Sequence, residues 1–201
     1  MRIGILGSGV VGRALAKGYA EHGHRVRIGT REAEVEGVPT APVAEVAHAA
    51  ELVVLAVHGQ AAVDVVRSVA DGLDGKVLID ATNPLDTSGP RPTLFVGLTD
   101  SLGEQVQRAA PAARVVKAYN TVGNALMVDP PLPGGPPTMF IAGDDDAAKG
   151  TVTGLLEETG WEVADLGGIE ASRYLEPMCL AWTAYGFRTG SWGHAFKLLH
   201  S

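Results

Sequence analysis

A glycine-rich turn near the amino terminus carries the clearest chemical signal in the chain. It lies between the apolar run 3–6 and a helical pattern that begins at residue 10. In a G-x-G-x-x-G turn, the first glycine allows a sharp bend, the second lets backbone approach a pyrophosphate, and the third lets the helix pack on the strand. The first N–H groups of that helix attract phosphate. The pattern predicts a dinucleotide site, with a structural turn without a ligand as the alternative. The predicted site comprises Gly7, Ser8, Gly9, Val10, Val11 and Gly12.

The two residues after the second predicted strand bear on which dinucleotide binds. NAD sites usually place an acid there, which accepts a hydrogen bond from the ribose 2′-hydroxyl. This chain has Thr30 and Arg31 at that point. A guanidinium binds a 2′-phosphate through two N–H groups and a hydroxyl can donate to it, whereas a carboxylate would repel it. The sequence favours NADP(H). The alternative is that Arg31 is an ordinary solvated arginine and that Glu32 or Glu34 binds the ribose.

Hydride chemistry at such a site needs little from the protein, because the cofactor carries it. The loops that follow the predicted strands contain no Ser/His/Asp or Cys/His nucleophile set and no facing pair of carboxylates. His58, which follows the third strand, is a candidate acid–base group. The simpler hypothesis is that His58 forms a wall of the pocket or contacts the cofactor. We therefore assign no catalytic residue from the sequence.

Alternating strands and helices must position these residues. The patterns predict strands at 1–6, 25–29, 52–57, 76–80, 114–118, 138–142 and 161–165. They predict helices at 10–22, 43–50, 60–70, 101–110, 147–159 and 169–187. Repeated strand–helix units indicate an α/β fold, a Rossmann-like doubly wound, mainly parallel sheet with a small C-terminal helical extension. Ligands bind at the carboxyl ends of such strands. The segments 7–12, 30–31, 57–58, 83–84 and 119–121 should then share one edge of the sheet.

The connecting segments add further expectations. Residues 86–100 are rich in Gly, Pro, Ser and Thr and predict a loop that could close over the site. The acids at 144–146 stand where a helix begins, so a capping role is favoured over metal binding. A final amphipathic turn or two is predicted within 190–201. We expect an NADP-binding Rossmann domain at 1–143 and a small α/β extension at 144–201 that completes an acceptor pocket.

The composition limits the class of protein. The 201 residues suit one well-cored domain with an extension, at roughly 100–200 residues per domain. The net charge of −7 gives no electrostatic footprint for nucleic acid, and no apolar run reaches the roughly 18–20 residues that span a bilayer. A single cysteine, Cys179, excludes an internal disulfide, and no Cys/His cluster has metal-ligand spacing. We expect a cytoplasmic protein whose partner is a small redox cofactor, without metal, membrane or nucleic acid, and with a homodimer as a candidate assembly.

Several motifs in order make nearly the whole chain similar to the F420-dependent NADP oxidoreductase family. The similarity is carried by the opening 1–9, by 23–24 and 29–31 around the second strand, and by 117–122, 143–145 and 190–193. The cytosolic reductase domain of the STEAP-type metalloreductases is similar in the same places. The resemblance implies direct hydride transfer between NADP(H) and a deazaflavin (F420) or a flavin stacked on the nicotinamide.

The resemblance also implies two ligand sites. It implies a nucleotide site at Ser8, Gly9, Val10, Val11, Thr30, Arg31, Val57, His58 and Asn83. It implies a second pocket near Asn120, Thr121 and Val122, closed by the C-terminal segment. Archaeal members tend to carry a His-Thr pair where this chain has Asn120 and Thr121, so the identity of the second ligand stays open.

A flat tricyclic ring needs an apolar slot with a few polar groups on its rim. The candidates for the slot are Val122, Leu126, Met127 and Trp192. Asn120 and Thr121 can supply the rim, and Gly193 lets backbone come close to a ring. The alternative is that Trp192 packs the C-terminal segment onto the core, as large aromatic side chains usually do.

Two other functions remain open at this point. One is reduction of a small imine or carbonyl substrate, although pyrroline-carboxylate reductases, which share the N-terminal layout, need a long helical dimerisation domain. The residues after Gly134 are too few for such a domain. The other is a non-catalytic NADP(H) sensor that binds a protein partner.

Overall fold

A computed structural model of the chain describes residues 1–31, 35 and 37–200. Its strands are β1 (Arg2–Leu6), β2 (Arg25–Gly29), β3 (Thr40–Ala41), β4 (Leu52–Leu55), β5 (Val77–Asp80), β6 (Leu85–Asp86), β7 (Thr93–Leu94), β8 (Arg114–Lys117), β9 (Thr138–Gly143) and β10 (Glu162–Asp165). Its helices are α1 (Val10–Glu21), α2 (Val43–Ala49), α3 (Gly59–Ser68), α4 (Leu102–Ala109), α5 (Asp146–Glu158) and α6 (Ser172–Thr189).

Eight of the strands form one sheet in the order β10-β9-β8-β5-β4-β1-β2-β3. The pairs from β3 to β8 are parallel, β8 and β9 are antiparallel, and β9 and β10 are parallel to each other. The predicted Rossmann-like, mainly parallel fold is thus confirmed. The reversal at β9 has a local cause. Residues 118–137, all of which the structure describes, are long enough for a parallel crossover but contain a short 3₁₀ turn in place of the α-helix that usually makes one.

The sheet is buried on both faces, which explains its continuous apolar strands. β4 and β5 are buried at every position, as expected of central parallel strands covered by helices. On one face, Ile3, Ile5 and Ile28 pack with Leu15 of α1 and Leu155 of α5. On the other face, apolar side chains of α2, α3 and α4 complete a second core. The parallel strands therefore present their carboxyl ends at one edge, as predicted.

Two local predictions need correction. The predicted loop at 86–100 contains part of a small antiparallel hairpin, β6–β7. The predicted helical turns near the C-terminus are wrong, because residues 191–200 form no helix. This segment instead runs beside β9, where Thr138 N–H donates to the Phe196 carbonyl (2.9 Å) and Leu198 N–H donates to Thr138 Oγ1 (3.0 Å). The division at residue 143 stays a prediction; β10, beyond it, pairs with β9 in the same sheet.

Candidate functional site

The glycine-rich turn joins β1 to α1 and requires glycine at its first and last positions. Gly7 has φ of 120°, and a Cβ there would lie 2.4 Å from the Ala56 carbonyl oxygen. A Cβ at Gly12 would lie 2.1 Å from the Gly7 carbonyl oxygen. A Cβ at Gly9, by contrast, would meet no protein atom within 4 Å among the residues that the structure describes. The turn therefore leaves open space at Gly9, the position whose bare backbone would approach a pyrophosphate.

Helix starts differ in what occupies them; those of α1, α3 and α4 lie at this edge, and that of α5 lies at the opposite edge because β9 runs antiparallel to β8. Within the described part of the chain, α1 and α3 begin without a side-chain cap and without an acid in the first turn. α4 is capped by Ser101, and α5 by Asp145, whose Oδ1 accepts from Ala148 N–H at 2.7 Å. This bond confirms the predicted capping role for Asp145, and Asp146 lies in the first turn of α5, whereas Asp144 Oδ1 accepts from Ile169 N–H at 2.8 Å. α1 and α3 thus present uncapped N–H groups and positive dipole ends, a combination suited to an anionic ligand.

The residues after β2 combine a hydroxyl pair with an exposed guanidinium. Thr30 Oγ1 donates to Ser8 Oγ at 3.1 Å, which links the end of β2 to the glycine-rich turn. Arg31 is exposed beside it. The alternative ribose ligands Glu32 and Glu34 lie outside the described residues. Thr30 and Arg31 help line a cavity of about 630 Å³, whose other walls are Thr40, Ala41, Pro42, Val43, Val65 and Ser68.

Apolar and polar groups alternate along the rest of the edge. Val10, in the first turn of α1, is 59% exposed, although it is a large apolar side chain. Val57 is half-buried, and His58 is exposed at the start of α3. A Cβ at Gly59 would lie 2.0 Å from the Asn83 carbonyl oxygen, so α3 packs directly on the loop after β5. The structure therefore brings the glycine-rich turn, 57–58 and Asn83 to the same edge.

Asn83 and Asn120 connect the two predicted ligand sites. Asn83 Nδ2 donates to the Asn120 carbonyl at 2.8 Å, and Asn120 Nδ2 donates to Asn83 Oδ1 at 3.2 Å and to the Leu175 carbonyl at 2.8 Å. Asn120, Thr121 and Val122 are all buried. These contacts join the nucleotide side of the edge to the end of β8 and to α6.

Three buried charged groups, which no sequence motif predicted, lie at the ends of β5 and β8 and on α6. Lys117 Nζ donates to Asp80 Oδ2 at 2.9 Å and lies 3.0 Å from Glu176 Oε1. Burial by itself lowers the pKa of Lys117, but the carboxylates of Asp80 and Glu176 outweigh it and hold the pKa above its usual value. The signal available in the sequence was a charged residue at the end of each of two apolar strands.

The C-terminal segment packs on α6 through aromatic rings. Trp182 Nε1 donates to the His194 carbonyl at 2.9 Å, and His194 Nε2 donates to the Trp182 carbonyl at 3.1 Å. The Trp192 ring lies 5.3 Å from that of Trp182 and 5.2 Å from that of Phe187, measured between centroids. Trp192 is still 43% exposed.

This segment also approaches the residues that follow β8. A Cβ at Gly123 would lie 3.1 Å from the Trp182 ring and 3.8 Å from the Trp192 carbonyl oxygen. Leu126 and Met127, predicted to line a slot, are instead buried in the core that contains Tyr19 and Tyr119. Val122 belongs to the same core, so of the predicted slot only Trp192 keeps an exposed side chain.

Other kinds of chemistry find no support in the part of the chain that the structure describes. No group of three His, Cys, Asp or Glu side chains there could hold a metal ion. No described helix has the length and apolarity needed to cross a membrane. Burial raises the pKa of the Cys179 thiol to about 11, so it is a poor nucleophile at neutral pH.

Comparison with known proteins gives concordant results. Residues 2–84 match the family described as "NADP oxidoreductase coenzyme F420-dependent". The chain is 32% identical over 200 residues to the F420-dependent NADP reductase of Methanothermobacter marburgensis, covering 88% of each chain. It is 28% identical over 185 residues to metalloreductase STEAP3 of Rattus norvegicus, covering 89% of this chain and 36% of that protein.

A crystal structure from Arthrobacter sp. FB24, provisionally described as an F420-dependent NADP-reductase, superposes with a TM-score of 0.93. It is 41% identical to this chain and covers 98% of it, and the match spans 99% of the Arthrobacter chain.

Proposed function

The chain belongs to the family of coenzyme F420-dependent NADP oxidoreductases, and from this membership we propose that it transfers a hydride between NADP(H) and a deazaflavin of the F420 type, or a flavin. In the direction of NADPH oxidation, the nicotinamide gives up a hydride and becomes NADP⁺. The acceptor takes that hydride together with one proton. The cofactors supply this chemistry, and the protein supplies binding, orientation and exclusion of water.

One observation carries the nucleotide half of the proposal. Two uncapped helix starts, α1 and α3, and the Thr30–Arg31 pair lie along a single sheet edge. Backbone N–H groups beyond Gly9 would hold the pyrophosphate, and Thr30 and Arg31 would hold the 2′-phosphate. The exposed Val10 supports an apolar contact with a bound ring, since an isolated large apolar side chain in a binding cleft is suited to ring packing.

Further residues receive supporting roles in this proposal. Val11 and Val57 add apolar surface beside Val10. His58 forms a wall of the pocket and does not act as a proton donor. Asn83 would orient the nicotinamide end, because its amide is already fixed by Asn120. Gly7, Ser8 and Gly12 shape the turn and keep α1 close to β1.

The acceptor half of the proposal uses the end of β8. We propose that the acceptor ring lies against Asn120, Thr121 and Val122 and is closed by the segment that carries Trp192 and Gly193. The approach of the Trp192 carbonyl to Gly123 supports this placement. In this arrangement residues 1–143 bind NADP(H) and residues 144–201 complete the acceptor pocket. A homodimer is also proposed, and light scattering on the purified protein tests it.

Acceptor-dependent oxidation of NADPH tests the proposal. Purified protein is mixed with NADPH and, in separate reactions, with F420, FMN, riboflavin, a cyclic imine or a ketone, and NADPH absorbance is followed with a matched NADH series. We expect rapid oxidation with F420 or a flavin and a preference for NADPH. Oxidation with only an imine or carbonyl acceptor would replace the proposed substrate class. NADPH binding without turnover on any acceptor would instead indicate a sensor.

A further inference from the structure

Three buried charged side chains tie together the elements that end at the candidate site. Lys117 ends β8 and Asp80 ends β5, and both are fully buried, while Glu176 of α6 is 1% exposed. Lys117 bridges the two carboxylates at 2.9 Å and 3.0 Å. Each strand-end residue precedes a site amide by three positions, Asp80 before Asn83 and Lys117 before Asn120. The charged cluster therefore lies at the start of both segments that carry the amide pair.

Each carboxylate also fixes a second piece of backbone. Asp80 Oδ1 accepts from Thr82 N–H at 2.9 Å and from Thr82 Oγ1 at 2.6 Å, which shapes the turn that leads to Asn83. Glu176 accepts from Leu102 N–H at 3.0 Å and from Gly103 N–H at 2.9 Å, at the start of α4. The cluster thus joins β5, β8, α4 and α6 through directional bonds.

Stability alone is a weak explanation for this arrangement. Removing three charges from water is costly, and replacing buried ion clusters by apolar side chains of similar volume is often neutral or stabilising. The ends of β5 and β8 are already paired through their backbones, so what apolar packing cannot supply is a directional link from these strand ends to α6. A misplacement of about 1 Å at a reacting centre can cost on the order of 10²-fold in rate. We therefore expect the cluster to affect the reaction rate through the geometry of the site rather than through stability.

We propose that Lys117, held between Asp80 and Glu176, is a positioning residue for hydride transfer. Through Glu176 it holds α6 against the end of β8, next to the Leu175 carbonyl that accepts from Asn120. Through Asp80 it holds the carboxylate that shapes the turn to Asn83. In this way it places the Asn83 and Asn120 amides beside the reacting rings. This inference rests on the proposed function for its kinetic readout, but a second readout below is independent of the acceptor.

The double variant Lys117→Met with Asp80→Asn is the main test. It removes Lys117 together with one of its two carboxylate partners, and Glu176, which loses its cation, keeps the N–H groups of Leu102 and Gly103 as donors. The asparagine can still accept from Thr82, and Glu176 still holds the start of α4. The control is Lys149→Met, because Lys149 of α5 is also largely buried and pairs with Asp146 and with Asp165 on the edge strand β10.

We expect kcat for NADPH oxidation in the double variant to fall by about 10-fold to 10²-fold, with the NADPH Kd within about threefold of wild type. The primary deuterium isotope effect with 4-deuterated NADPH should rise, because the hydride step becomes slower than product release. The control variant should keep kcat and Kd. Wild-type kcat in the double variant, an equal loss in the control, or a loss confined to NADPH affinity would overturn the proposal.

Fluorescence anisotropy of bound NADPH gives the acceptor-independent readout. The dihydronicotinamide should be more mobile in the double variant than in wild type while the phosphates still bind. If none of the acceptors supports NADPH oxidation by the wild-type protein, the proposed function fails. Unchanged anisotropy in the double variant would separately refute positioning by Lys117.

Should the double variant not fold, Thr82→Val removes one hydrogen bond to Asp80 and leaves the shape of the side chain nearly unchanged. It should lower kcat several-fold at unchanged Kd, and wild-type kcat would overturn the proposal.

Discussion

Substituting alanine for Gly9 separates ligand binding from folding at the glycine-rich turn. The backbone of Gly9 has φ of −69° and ψ of 178°, which alanine adopts without strain, and a Cβ there meets no described protein atom within 4 Å. The same change at Gly12 would drive a Cβ to 2.1 Å from the Gly7 carbonyl oxygen. Gly9→Ala should therefore fold normally, whereas Gly12→Ala should destabilise the protein.

The expected effect on affinity follows from the helix start. The first intrahelical bond at this end runs from Arg13 N–H to the Gly9 carbonyl, so the N–H groups of Val10, Val11 and Gly12 have no partner within the helix and can face phosphate. A methyl group at Gly9 would hold the pyrophosphate away from them. Loss of two charge-assisted hydrogen bonds, at about 1.5 kcal/mol each, removes about 3 kcal/mol, or on the order of 10²-fold in Kd.

Calorimetric titration with NADPH and a thermal melt together check this prediction. The cost of alanine at a helix N-cap and the gain from restricting the unfolded chain nearly cancel, so the melting temperature should change by only about 1–2 °C. Gly154→Ala in α5 is the matched control, because its Cβ also meets no described atom within 4 Å. That variant should bind NADPH as wild type does and melt about 2–4 °C higher. Wild-type NADPH affinity in Gly9→Ala would refute the placement of the pyrophosphate.

Three other substitutions test the remaining assignments. Arg31→Ala should weaken NADPH binding by tens-fold through loss of about 2 kcal/mol and leave NADH binding nearly unchanged; equal losses for both would contradict a 2′-phosphate contact. His58→Gln should keep most of the turnover and alter nucleotide affinity, whereas a fall of roughly 10²-fold in kcat would make His58 an acid–base group. Trp192→Ala and Asn120→Ala should both bind NADPH and lose acceptor-dependent oxidation. If Trp192→Ala only lowers the melting temperature, the Trp192 ring has a packing role alone.

Local sequence signals sufficed where the physical requirement is itself local. The turn at residues 7–12 was predictable because Gly7 has a positive φ and a Cβ at Gly12 would meet the Gly7 carbonyl, and both requirements lie within one strand–helix junction. The shared edge followed from parallel strands and right-handed crossovers. The direction of β9 did not follow, because strand polarity depends on the length and content of the connection before it rather than on periodicity.

Contacts between distant parts of the chain could not be predicted from the sequence. Lys117 and Asp80 are 37 positions apart, and Glu176 reaches the start of α4 across 73 positions. Such partners are chosen by the packing of whole elements. The helical turns predicted near the C-terminus were wrong for the same reason. The pattern of this segment suits a helix, yet its backbone groups bond to Thr138 of β9. The individual site residues stay predictions until variants are measured.

The exposed Val10 side chain has a thermodynamic consequence. In the free protein, 59% of its surface is in water at the first turn of α1, where hydration of apolar groups raises the heat capacity. A nucleotide that covers this surface makes the heat capacity of binding negative, so the binding enthalpy becomes more favourable on warming. The phosphate contacts contribute through charge and weaken with added salt. In the proposed binding mode, temperature and ionic strength should therefore act on separate parts of one ligand, the ring end through Val10 and the phosphate end through the helix starts.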